Sequence, residues 1–285
     1  MADSPALDLK WRSGRDADEL LDVLHFALDD FSPVAIHEHE SADGWRVFFR
    51  SAEQRDRAAE SIATRFAREL SEITRVDVED EGWARRSQAN LTAIRVGRIV
   101  VAPPWDDAAH LDALVVVIDP STGFGTGHHE TTRLCLTLLQ ALNVDGLRVI
   151  DVGTGSGVLA IAAARLGAAS ALAIDDDPEA LRNAEDNVAR NGVADVVSLR
   201  TADLASFEAT PAAIVTANLT GAVLQRCAEQ LRALVAPGGA LIVSGFNSGE
   251  VEAVAQAFGD RVDRQVGEGD WAALLLRVTG SPTRS

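Results

Sequence analysis

Two glycine-rich stretches carry the residue types most suited to chemistry. Residues 121–136 read STGFGTGHHETTRLCL, and residues 151–157 read DVGTGSG. The first sets three glycines in five positions ahead of His128, His129, Glu130, Thr131 and Thr132. By residue type it could be a metal site, a phosphate cradle, or a loop closing over something bound elsewhere. Adjacent histidines point different ways, and no third or fourth ligand stands at a spacing such as H-E-x-x-H, so zinc is disfavoured. A base role for Glu130 or a histidine would need hydrogen-bond reach to a nucleophile, which spacing does not supply. His129 reads as a loop residue bonded to backbone. The second stretch lies between an apolar β run and an apolar helical run, where a doubly wound sheet binds nucleotides at its strand C-termini. Glycine there lets the backbone approach a ligand that a side chain would push away.

Two frames compete for this second stretch. Read from Gly155, GSGVLA fits the G-x-G-x-x-A form of a dinucleotide fingerprint, with Asp175 about 20 residues later to hold a ribose. Read from Asp151, the same residues fit D-x-G-x-G-x-G, the turn of S-adenosylmethionine-dependent methyltransferases. In that frame amides around Gly153 and Gly155 face the methionine part, Asp175 takes the ribose hydroxyls, and Asp203 in RTADL stands near the adenine amine. A tight turn that binds nothing, and for Asp203 a solvated loop carboxylate, are the bland alternatives. The segments RVDRQVGEG and WAALLLRV predict an antiparallel hairpin at the sheet edge, a feature of methyltransferases foreign to the dehydrogenase half.

The elements that must position these residues follow from periodicity. Residues 7–11 alternate as a strand, and Leu20, Leu21, Leu24 and Leu28 repeat at helical spacing over 16–28. VAIHEHE and WRVFFR flank an Asp43-Gly44 turn as a hairpin, a helix spans about 55–70, and ITRVDVE closes the series. This βαββαβ order is ferredoxin-like, with helices on one sheet face and the other left open. WARRSQAN is expected to be helical and AIRVGRIVVAP a strand pair, in a linker running to Pro103-Pro104. Beyond it β and α segments alternate: LRVIDVG, VLAIAAARLGA, SALAID, PEALRNAEDNVARNG, VVSLRTA, AAIVTANL, the single helix VLQRCAEQLRALVAPGG, ALIVSG, and a helix over 250–258. Such alternation means a parallel sheet with helices on both faces. The expected fold is therefore α/β: residues 1–80 a small ferredoxin-like α+β domain, 81–108 a linker, and 109–285 a Rossmann-like domain with a mostly parallel seven-stranded sheet.

Composition excludes several classes. A chain of 285 residues with 47% hydrophobic content is not disordered. No window resembles a membrane span, and the N-terminus lacks the order of a signal peptide, so a cytoplasmic address is expected. Cys135 and Cys227 lie in helical segments and read as small core residues. The net charge of −17, from 43 acidic against 26 basic residues, argues against a phosphate backbone as ligand and suits a basic partner. Lys10 is the only lysine, which codon usage explains most simply.

With these residues in hand, the chain resembles the PrmA family, the methyltransferases of large-subunit ribosomal protein L-eleven, across roughly residues 79–278. IDPSTGFGTGHHETTRLCL is similar to that family's D-P-x-x-x-F-G-T-G-x-H-x-T-T-x-L-C-L, and VTANLTGAVL to its V-A-N-I-L segment. VIDVGTGSGVLAIAAARLGA and AIDDDPEALRNAEDNVARNGV look like its cofactor-binding segments, and GGALIVSGF like its G-G-x-L-x-x-S-G-I. HHE stands where T-H-P is usual, and NLT where N-I-L is usual.

The resemblance implies S-adenosylmethionine as cofactor, with Thr132, Gly153, Asp175 and Asn218 as contacts. It also implies methyl transfer to a lysine or N-terminal amine of L-eleven, and a separate N-terminal recognition domain. Asn218 is placed at the acceptor channel, its carbonyl receiving a hydrogen bond from the attacking amine, with a purely structural amide after the fourth strand as the alternative. Residues 121–128 become a loop over the methionine end of the cofactor, with Thr131 or Thr132 capping the helix that follows. No metal, nucleic acid or membrane contact is expected, and the protein is expected to be a monomer. The alternatives are another protein lysine or a small molecule as substrate, or a non-catalytic regulator that binds the same cofactor.

Overall fold

A computed structural model describes residues 4–12, 24, 27–28, 31, 33, 35–39, 44–49, 51–78, 92–106, 112–119 and 129–278. The chain divides into two compact units, Met1–Arg86 and Ser87–Ser285.

In the first unit β1 (Ser4–Trp11), β2 (Ala35–Glu38), β3 (Gly44–Phe48) and β4 (Leu70–Val78) form an antiparallel sheet of order β2-β3-β1-β4. That is the ferredoxin-like arrangement the element order predicts. The helix α1 (Ala52–Arg65) starts where the Ser51 hydroxyl accepts the Gln54 amide at 3.2 Å. Its buried Ala58, Ala59 and Ile62 share a core with Leu7, Leu9 and Val47. The helix stops short of the expected residue 70, because a turn at Phe66 feeds the chain into β4, where Leu70 is buried. Of the helix expected over 16–28 only Leu24, Ala27 and Leu28 are described, and all three are core residues. Asp43 and the WARRSQAN segment lie outside the described residues. Strand alternation sends Asp8 and Lys10 to the face opposite Leu7 and Leu9. There Asp8 accepts two bonds from Arg46, at 2.6 and 2.7 Å, and Lys10 pairs with Glu72 at 3.1 Å.

The second unit begins with β5 (Ile94–Val96) and β6 (Ile99–Ala102), an antiparallel pair, followed by β7 (Leu114–Val117) parallel to β6. This corrects the linker expected over 81–108: the strand pair is present, but Val96, Ile99 and Val101 belong to the core of the second unit. An apolar run such as IVVA leaves water once it has a sheet and a helix to pack on.

After α2 (Glu130–Leu139) come β8 (Arg148–Val152), α3 (Val158–Arg165), β9 (Ser170–Asp175), α4 (Pro178–Arg190), β10 (Val197–Thr201) and β11 (Ala212–Asn218). Then follow α5 (Gly221–Arg226), α6 (Ala228–Ala233), β12 (Val235–Asn247), α7 (Val251–Phe258), β13 (Arg261–Glu268) and β14 (Trp271–Arg277). The single helix expected over 223–239 is thus two short ones, broken at Cys227, and its last five residues instead open β12, which begins at Val235. Leu224, Cys227, Ala228 and Leu231 keep one buried stripe across the break, so core packing survives it.

The seven strands run in the order β10-β9-β8-β11-β12-β14-β13. All neighbours from β10 to β12 are parallel, and β14 is antiparallel to both β12 and β13. The order reverses between β8 and β11, which makes their C-terminal ends the expected crevice. Alternation divides each strand between two cores. Val149, Ala173 and Ile214 pack with α2 and α3, while Ile150, Ile174 and Val215 pack with α5, α6 and α7. The same period of two puts Asp151, Asp175 and Asn218 on the face of α2 and α3. Among the described residues no helix is long and apolar enough to cross a membrane, and both cysteines are buried and free.

Candidate active site

The site forms where β9, β8 and β11 lie side by side. The turn after β8 runs through Gly153, Gly155 and Gly157 at φ +67°, +53° and +82°, in the left-handed region that side chains oppose. A Cβ on Gly153 would also meet the Leu219 side chain. The turn ends at Gly157, which begins α3 with no side-chain cap. Backbone amides and the positive end of the helix dipole therefore face the strand ends.

Asp175 closes β9 and reaches across to this turn. Its two carboxylate oxygens accept the Gly155 amide at 2.9 Å and the Asp177 amide at 3.0 Å. A carboxylate has about four lone-pair positions, so two such bonds leave acceptor capacity for a ribose diol. Burial raises the Asp175 pKa above its ordinary value. The two amides oppose that rise, and Asp176 and Asp177 add to it. Asp203 falls one strand further along, beyond β10, and is exposed. Its carboxylate accepts the Ala205 amide at 2.9 Å, so the side chain is folded into its own turn.

On the other side of β8, Asn218 ends β11 and donates from Nδ2 to the Thr132 hydroxyl at 3.4 Å. Thr132 is almost wholly buried in the first turn of α2. The structure thus brings Gly153, Gly155 and Asp175 together, and joins Thr132 to Asn218. The expected cap is corrected: His129 caps α2, its Nδ1 accepting the Thr131 amide at 3.3 Å and meeting the Thr131 hydroxyl at 2.8 Å. The helix begins at Glu130, so Thr131 and Thr132 fall inside its first turn, and the His129 ring rests edge-on against Trp271 with centroids 4.8 Å apart. Glu130 pairs with Arg133 at 3.1 Å, and Arg133 also binds Glu268 at 2.7 Å. Glu130 is therefore committed to an ion pair rather than offered as a base. The loop expected over 121–128 lies outside the described residues.

Beneath these residues sits Asp151, the first residue of the D-x-G-x-G-x-G frame. It is buried, and its oxygens accept the Thr154 and Thr216 hydroxyls at 2.6 Å each. Burial pushes its pKa up to about 6, against the pull of those two hydroxyls. The carboxylate ties the glycine turn to β11 two residues before Asn218. One signal for it was present: Thr216 is a polar residue inside the apolar run AAIVTAN, in step with Asn218. Among the described residues no cluster of His, Cys, Asp and Glu could hold a metal ion. Burial also pushes the Cys135 thiol up, so it is an inert core residue.

Residues 32–279 match the family model of ribosomal protein L11 methyltransferase (PrmA). A ribosomal protein L11 methyltransferase of Heliobacterium modesticaldum is 39% identical over 212 residues, 73% of this chain and 67% of its own length. One from Pelotomaculum thermopropionicum is 38% identical over 256 residues, covering 86% of this chain and 83% of that protein. Among solved structures, a ribosomal protein L11 methylase of Lactobacillus delbrueckii subsp. bulgaricus superposes with a TM-score of 0.61 at 30% identity. It covers 67% of this chain and 99% of that one. With the methyltransferase strand order, the glycine turn and a family match over most of its length, the chain belongs to the ribosomal protein L11 methyltransferase family.

Proposed function

We propose that this chain methylates amines of ribosomal protein L11, with S-adenosylmethionine held at the C-terminal ends of β9, β8 and β11. The observation that carries this reading is the convergence of Asp175, the glycine turn and Asn218 on three adjacent strands. The donor set fits the cofactor. Asp175 has acceptor capacity left for a ribose diol, and the uncapped start of α3 suits a methionine carboxylate. When bound, S-adenosylmethionine supplies a methyl carbon activated by its sulfonium for in-line displacement by an amine lone pair.

The residues of this chain bind and aim. Gly153 and Gly155 keep the turn free of side chains. Asp203, after β10, stands on the adenine side in this reading, with one carboxylate oxygen already accepting the Ala205 amide. The Asn218 amide nitrogen is engaged by Thr132, which leaves its carbonyl to accept a hydrogen bond from the incoming amine. A lysine amine, with an ordinary pKa of about 10.4, must first shed a proton. A neutral amide orients the lone pair without adding a negative charge that would hold that proton on. Alignment of this kind is worth roughly 7 to 11 kcal/mol in favourable cases.

The first unit is the recognition domain in this reading, and the net charge of −17 favours encounter with a basic ribosomal protein. Nothing in it requires a second copy of the chain, a metal or nucleic acid. A ribosomal substrate fits a cytoplasmic address, and a site built from one chain suits a monomer. The test is calorimetric titration of Asp175→Ala with S-adenosylmethionine, where a loss of about a hundredfold in affinity is expected from two forfeited charge-assisted bonds. Unchanged affinity would refute the site. Labelled S-adenosylmethionine with ribosomal extract from a strain lacking the enzyme should mark L11; label on another protein would keep the chemistry and change the substrate.

A further inference from the structure

We propose that Asn187 is a positioning residue for cofactor binding, holding the glycine turn through the Ser156 carbonyl while anchoring the end of β7. The inference rests on the placement of S-adenosylmethionine given above. Asn187 lies on α4 beside the apolar positions Leu181, Ala184 and Val188, and it is fully buried. A buried amide at such a place costs stability unless its donors and acceptor find partners. Its Oδ1 accepts the Asp119 amide at 2.9 Å, and its Nδ2 donates to the Ser156 carbonyl at 3.0 Å.

The geometry behind this comes from matching two repeats. Among the described residues β7 pairs with β6 on one side only, and Ile118 donates to Ala102 across that pair. The amides of Val117 and Asp119 therefore face away from β6. They stand about 6.6 Å apart along a strand, close to the roughly 6 Å rise between helix positions four residues apart. Asn187 and Asn191 occupy two such positions on α4. Asn191 accepts the Val117 amide at 2.9 Å and donates to the Val117 carbonyl at 2.7 Å, as a neighbouring strand would. Asn187 takes the next outward amide, that of Asp119.

The two asparagines differ in one respect. The side-chain bonds of Asn191 go to β7 and to its own helix, whereas Asn187 also reaches into the glycine turn. There the peptide plane joining Ser156 to Gly157 is held at both ends, its carbonyl by Asn187 and its N–H by the Thr154 carbonyl at 2.9 Å. The plane joining Thr154 to Gly155 is held by Asp175. Asn187 and Asp175 thus fix successive parts of one turn, the first from the body of α4 and the second from the end of β9. Releasing Ser156 would let the plane ahead of α3 rotate and misdirect the amides that face the cofactor.

The experiment compares Asn187→Ala, Asn187→Asp and Asn191→Ala in the full-length protein. Thermal unfolding, calorimetric titration with S-adenosylmethionine, and KM and kcat for methylation are measured on each. Asn187→Asp keeps the shape and the acceptor for Asp119 but loses the donor to Ser156, so it serves if the alanine variant does not fold. All three should unfold at lower temperature. The Asn187 variants should bind S-adenosylmethionine on the order of tenfold more weakly, the worth of about one hydrogen bond, with KM raised and kcat at saturation largely kept. Asn191→Ala should bind as the wild type does. Wild-type affinity in both Asn187 variants, or an equal loss in Asn191→Ala, would overturn the positioning role. Asp175→Ala run alongside separates the two ideas: if it too binds normally, the cofactor site itself is misplaced.

Discussion

The two sheets of this protein treat a carboxylate on a central strand in opposite ways. Asp8, on β1 of the first unit, lies on a face open to water, and the Arg46 guanidinium bonded to it holds its pKa below the ordinary carboxylate value. Asp151, on β8 of the second, has apolar layers on both sides, and burial pushes its pKa up to about 6. The first carboxylate contributes to stability through its charge. The second is kept although its charge costs stability, at the point where the glycine turn meets β11. A sheet covered on both faces leaves little room for incidental polar groups, so those that remain point to the site.

The largest test of this contrast is to separate the units. Deletion of residues 1–86 should abolish methylation of L11, scored as transfer of labelled methyl groups, yet leave S-adenosylmethionine affinity intact by calorimetry. Each unit has its own core cluster, which makes the deletion a fair experiment. Retained methylation would mean the first unit does not recognise the substrate.

Next in size is Asp151→Asn. Because the folded-state pKa of about 6 lies above the ordinary 3.8, the folded protein binds this proton more tightly than the unfolded chain. The associated stability is fully present below about pH 4 and is lost as pH rises through about 6, to the extent of roughly 3 kcal/mol. Urea unfolding at a series of pH values should show the wild type losing stability relative to the asparagine variant across that window. Parallel curves for the two proteins would remove Asp151 as the cause.

The smallest effect is expected on the open sheet. Arg46→Ala should cost about 1 kcal/mol or less, and less still in high salt, because its partly exposed ion pair is screened by solvent. For Asp8 the sign is reversed: its contribution is present above the ordinary pKa and fades as pH falls through the lowered one. A penalty for Arg46→Ala that ignores salt would show the pair to be more buried in effect than its exposure suggests.

Much of the architecture was legible because it rests on period and spacing. SALAID alternates and is apolar throughout, and it forms β9 over the expected residues. DVGTGSG needs left-handed backbone, and the three glycines supply it. What escaped depends on partners far away in the chain. Threonine is the better helix cap by residue type, but the helix starts one residue before the threonines, which leaves the cap to His129, packed on Trp271 142 positions away. The strand pair at 94–102 read as linker because its packing partner, α2, begins nearly 30 residues later. Asn187 gave no signal of its own, since nothing local says that the outward edge of β7 will lie against it.

Among the described residues the seven-stranded sheet ends at β10 and at β13, and a sheet edge is a template on which another chain can build. Along β13 that edge carries Arg261, Asp263, Arg264 and Glu268, with Asp263 drawing in both Arg261 at 2.5 Å and Arg277 at 3.1 Å. A second strand laid there would have to strip water from these charges and bring like charges together. The charges on the last hairpin therefore disfavour the addition of a strand at that edge.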